Sequence, residues 1–110
     1  HDLLLEYLNS AKNPPCIIWH GWNQKPELAA QLLPFPAFFS FGRQLLHPGS
    51  NAAKWLAACP IDRVFFETDD SELKIESIYQ AASLILQLPK ARLAEQVIAN
   101  WNTISKRKIS

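Results

Sequence analysis

Three short apolar runs, each stopped by polar residues and separated by helix-like spacing, restrict this chain's fold more than any other feature. The clearest is Val64-Phe65-Phe66, which passes directly into Glu67-Thr68-Asp69-Asp70. An unbroken β-branched and aromatic run with polar bounds reads as a buried strand of a parallel sheet. Cys16-Ile17-Ile18-Trp19 ends the same way in His20, and the run from Ala37 to Phe41 is stopped by Gly42-Arg43. The histidine and the carboxylates then stand at carboxyl ends of strands, where α/β folds assemble their active sites.

Between the runs the spacing is helical. Leu4, Leu5 and Leu8 share a helical stripe, and Asn13-Pro14-Pro15 is a rigid loop because neither proline continues a helix. Residues 25–33 predict a helix with Pro26 in its first turn and Leu28, Leu32 and Leu33 inward. His47 falls in an exposed loop, after which Ser50 or Asn51 caps a helix carrying Ala53, Trp55, Leu56 and Ala57. Two helices finish the chain. In 75–88 the inward stripe is Ile78, Tyr79, Ala82 and Ile85; in 91–106 it is Leu93, Val97, Trp101 and Ile104. Strands alternating with helices imply parallel pairing through right-handed crossovers, with strands 16–20, 37–41 and 64–69 as sequential neighbours.

At 110 residues the chain suits one globular unit or part of one. A net charge of +1 gives no global field toward nucleic acid or an acidic membrane, and Lys106-Arg107-Lys108 reads as a solvated helix end. No apolar stretch approaches the ~20 residues of a membrane span, and no leader of the secretory type is present. Cys16 and Cys59 lack framework spacing, which fits reduced thiols in a cytoplasmic protein. The sequence contains no methionine, and three parallel strands leave two sheet edges open. Together these predict a single partial domain over residues 1–110, the C-terminal part of something larger. Its edges would be covered by a missing N-terminal portion or by self-association.

The segments Ile17-Ile18-Trp19-His20-Gly21-Trp22, Lys25-Pro26-Glu27-Leu28-Ala29, Phe38-Phe39-Ser40-Phe41-Gly42 and Val64-Phe65-Phe66-Glu67-Thr68-Asp69 occur in that order, followed by Asn100-Trp101. They resemble the last three strands and terminal helix of TatD-like hydrolases, the metal-dependent deoxyribonuclease family built on a (β/α)8 barrel. The resemblance implies an α/β fold of three parallel strands with crossover helices, a C-terminal sector of a TIM-type barrel. It implies metal ligation by His20 and Asp69, which match the family's sixth-strand histidine and eighth-strand aspartate. The family's His-x-His pair, bridging glutamate and fifth-strand histidine have no counterpart; His1 aligns with a helix. Asp70 and Ser71 stand where the family carries a small residue and proline, and Gly21 and Trp22 where cysteine and phenylalanine are common.

The implied activity is metal-dependent hydrolysis of a phosphodiester, with DNA or another phosphate ester as substrate. This chain carries only part of the site. Zn²⁺, Mn²⁺ or Mg²⁺ held by imidazole and carboxylate would lower the pKa of bound water. Asp69 is the catalytic candidate, holding the metal and accepting the water's proton, while Trp22 and Arg43 are candidates for substrate contact at the rim. Each residue has a plainer reading. His20 could be a hydrogen-bonded structural histidine, Asp69 and Asp70 a turn or helix cap, and Trp22 a packing residue under the next loop. Glu67 reads as a structural hydrogen-bonding group at the strand end, with a site role open. The alternative function is a non-catalytic α/β module that binds or assembles through its edges.

Overall fold

The computed structural model describes residues 16–68 and 74–109, the last four by their backbone only. His1, the predicted helix around Leu4 to Leu8, the Asn13-Pro14-Pro15 loop, Asp69, Asp70 and Ser71 lie outside the described residues. The elements run β1 (Ile17–Trp19), α1 (Pro26–Leu32), β2 (Ala37–Phe41), a 3₁₀ turn (Arg43–Leu46), α2 (Asn51–Ala58), a second 3₁₀ turn (Ile61–Arg63), β3 (Val64–Phe66), α3 (Ile75–Leu86) and α4 (Lys90–Ile109). The sheet order is β1-β2-β3. Both pairings are parallel, with Trp19 beside Phe39 and Phe39 beside Val64. This is the predicted α/β arrangement, with β1 and β3 shorter than the predicted strands 16–20 and 64–69.

Side-chain alternation gives the sheet two different faces. Ile17, Trp19, Ala37, Phe39, Phe41, Val64 and Phe66 join a core with Leu32 of α1, Trp55 and Leu56 of α2, and Ile78 and Ala82 of α3. Ile18, Phe38 and Phe65 take the other face, where Phe38 and Phe65 meet at 5.7 Å between ring centroids. β2 is buried along its whole length, which explains why its sequence shows no polar alternation. Local signals place the helices. Pro26 starts α1 in a first-turn position, and the Ser50 hydroxyl accepts from the Ala53 amide to cap α2. Gln87 closes α3 in the left-handed region, at φ 56°. Among the described residues no helix is long and apolar enough to cross a membrane.

Two polar side chains fasten the amino end of the sheet. Arg63 donates to the Phe35 and Ala37 carbonyls through Nη1, at 2.9 and 3.0 Å, and to the Leu33 carbonyl through Nη2 at 3.1 Å. Its guanidinium also lies over the Phe38 ring. Asn100 of α4, 2% exposed, donates to the Ile61 and Val64 carbonyls at 3.0 and 2.8 Å and accepts from Gln96.

One helix face differs from expectation. Leu93 and Ile104 are buried as predicted, but Trp101 is 53% exposed and Asn100 takes the inward place. The inner stripe is therefore 93, 97, 100, 104. A polar residue sits in it because β3 and the turn before it offer two carbonyls that need a donor.

Replacing Asn100 tests this fastening. Asn100→Ala should cost about 1–3 kcal/mol in urea unfolding by leaving buried carbonyls unpaired. Asn100→Asp, of similar size but without an amide donor, should lose at least as much. An aspartate variant as stable as the wild type would contradict the assignment.

Candidate functional site

His20 follows β1 and Glu67 follows β3, so both stand at carboxyl ends of the sheet with β2 between them. Strands lie ~4.8 Å apart, which puts backbones two strands apart at about 10 Å. The side chains close this distance: His20 Nδ1 and Glu67 Oε1 are 3.0 Å apart. The same carboxylate oxygen accepts from the Gly21 amide at 3.3 Å. Gly21 has φ 59°, a left-handed turn that suits glycine and brings this amide round to the carboxylate. The backbone continues the ladder on both sides of β2: Trp22 donates to the Ser40 carbonyl and Glu67 to the Phe41 carbonyl.

An ionised carboxylate only accepts, so Nδ1 carries the proton in this pair. In the neutral ring Nε2 then holds a lone pair, and the His20 side chain is 73% exposed. Imidazole with a carboxylate behind it is the usual setting of a metal-ligating histidine. The pair therefore fits one ligand of a divalent-metal site. Among the described residues no group of three His, Cys, Asp or Glu completes such a set.

Of the other sequence candidates, Arg43 is exposed just past Gly42, at the same end of the sheet. Asp69 lies outside the described residues, two positions beyond Glu67. Trp22 is a correction: it is 3% exposed and belongs to the core rather than to a rim. The turn at Gly21 carries the chain back over the sheet. The indole packs edge-on against Phe39 at 4.9 Å and Trp19 at 5.8 Å, an attractive aromatic geometry. Its Nε1 is buried without a hydrogen-bond partner among the described residues, as are those of Trp19 and Trp55.

Glu67 is the residue whose part in the site the sequence left open. The available signal was a carboxylate at one strand end opposite a histidine at another. Cys59 offers no nucleophile, since burial pushes its thiol up to about 12 and keeps it protonated near neutral pH. An apolar groove of about 620 Å³ lies elsewhere, between the first 3₁₀ turn and α3, lined by Leu45, Leu46, Ala81, Leu84 and Ile85 among others.

The chain is similar to a hydrolase TatD family protein from Entamoeba histolytica, with a TM-score of 0.65 and 15% identity, over 79% of this chain and 41% of that one. It thus spans less than half the length of that protein. At this identity the likeness shows the fold, which is TatD-like over the matched residues. No family model and no curated protein matches the chain.

If Trp22 is a packing residue, Trp22→Ala should lower stability by about 3–5 kcal/mol, the usual cost of emptying a buried aromatic site. Chemical denaturation measures this directly. A variant as stable as the parent would return Trp22 to the surface.

Proposed function

We propose that this chain carries the carboxyl-terminal sector of a barrel hydrolase that uses divalent metal to cleave phosphodiesters, DNA being the first candidate substrate. The observation that carries this reading is the His20–Glu67 pair at the strand ends of a TatD-like fold, on a largely exposed imidazole. Bound there, a divalent cation would supply water acidic enough to ionise near neutral pH and would neutralise charge on phosphoryl oxygens. His20 holds the cation through Nε2. Asp69 is proposed as a second ligand and as the acceptor of the water's proton. Arg43, exposed at the same end, is placed to meet a phosphate. The remaining ligands are proposed to come from a further part of the barrel, which would also cover the outer edges of β1 and β3.

The alternative, a non-catalytic binding or assembly module, is favoured by the apolar surface at Leu84, Ile98 and Trp101, which are 70%, 62% and 53% exposed. Metal binding separates the two. Calorimetric titration with Zn²⁺ and Mn²⁺ should show binding that His20→Ala and Asp69→Ala each weaken by more than tenfold, the lower end of the loss seen for outer partners. Variants that bind as the wild type does would favour the assembly module. The 110-residue chain by itself should not cleave DNA appreciably, since a preorganised site needs its full ligand set. Cleavage by rigorously purified chain that disappears in Asp69→Ala would show the set to be complete without further ligands.

A further inference from the structure

We propose that Glu67 is the positioning residue for His20, and that Gly42 is the gap that lets it reach. The proposal rests on the reading of His20 as a metal ligand, but its geometry stands on separate observations. Glu67 follows β3 and His20 follows β1, so the carboxylate must pass over the end of the intervening strand. Gly42 occupies that end, and it is buried. Its backbone, at φ −126° and ψ −142°, lies outside the left-handed region, so conformation does not demand glycine here. Space does. A Cβ at Gly42 would stand 3.5 Å from the Glu67 carbonyl oxygen and 3.6 Å from Glu67 Cγ. An alanine methyl is accommodated at those distances, whereas a larger side chain is expected to crowd the Glu67 stem.

The consequence is a choice between the two ring nitrogens. An imidazole at 73% exposure has no packing to fix its rotamer or tautomer. Glu67 supplies both constraints: it accepts from Nδ1 and from the Gly21 amide through one oxygen, tying the ring to its own backbone turn. Nε2 is then the nitrogen presented to a cation, with a carboxylate behind the ring to hold its orientation.

Nitrogen-15 NMR of the full 110-residue chain reads this directly. At about pH 9 an ordinary imidazole is neutral, and His20→Gln assigns the His20 signals. The expected wild-type result is a protonated Nδ1 and a lone-pair Nε2. Glu67→Ala, which removes a partly exposed side chain, should return His20 to the Nε2–H form that free histidine favours. Gly42→Ala should keep the wild-type tautomer and Gly42→Leu should lose it, each variant being checked for a native amide spectrum. If the leucine variant fails to fold, Glu67→Ala decides alone. A wild-type ring protonated at Nε2, or a tautomer unchanged in Glu67→Ala, would overturn the proposal. Zn²⁺ added to the wild type separates the two layers. A shifted Nε2 resonance supports both. An unmoved one, with Nδ1 still protonated, supports the bridge and removes the metal reading beneath it.

Discussion

Phe39 is the point at which both strand pairings and the helical layer meet. It faces Trp19 on one side and Val64 on the other, it is fully buried, and its ring is gripped edge-on by Trp22 and by Trp55, the latter at 5.4 Å. Burying such a side chain contributes about 1.5–3 kcal/mol, and each edge-to-face contact adds about 0.5–1.5 kcal/mol. The larger effect is on register. A slip of one residue in β2 would turn Phe39 and Phe41 away from the helices and bring Phe38 and Ser40 toward them. That register fixes which side chains leave the strand ends together.

The site geometry follows from this constraint. Parallel strands bring their carboxyl ends to one side, and β2 keeps β1 and β3 at a distance that two side chains can bridge. His20 and Glu67 meet across the end of β2, where Gly42 lies beside the Glu67 stem. At the opposite end of the sheet, Arg63 and Asn100 occupy the loop and turn carbonyls. One end of the sheet is thus tied down by donors to backbone, and the other presents an imidazole nitrogen to solvent.

Much of this was legible in the residues. Val64-Phe65-Phe66 and Phe38-Phe39 read as buried parallel strands because they lack alternation, and Ser50 and Pro26 marked their helices through local capping chemistry. His20 at a strand end was equally visible. What escaped depends on partners distant in sequence. Trp22 is drawn inward by Phe39, and Gly21 beside it permits the left-handed turn that carries it there without revealing its direction. Trp101 lost the inner face of its helix to Asn100 because the deciding groups are backbone carbonyls of Ile61 and Val64. Carbonyls have no letter in a sequence. Glu67 was half legible: its place at the strand end could be read, but its reach across an intervening strand to His20 could not.

We propose that a divalent cation is held at the carboxyl end of this sheet, through His20. Paramagnetic broadening by Mn²⁺ in amide NMR spectra tests it most directly, because the effect falls with the sixth power of distance. The ends of β2 are separated by roughly 13 Å, four rises of ~3.3 Å. Small additions of Mn²⁺ should broaden the amides of Gly21, Gly42 and Thr68 first, while those of Phe35, Ala37 and Arg63 stay sharp. Broadening that begins at the Arg63 end, or that spreads evenly over the chain, would mean that no cation is held at His20.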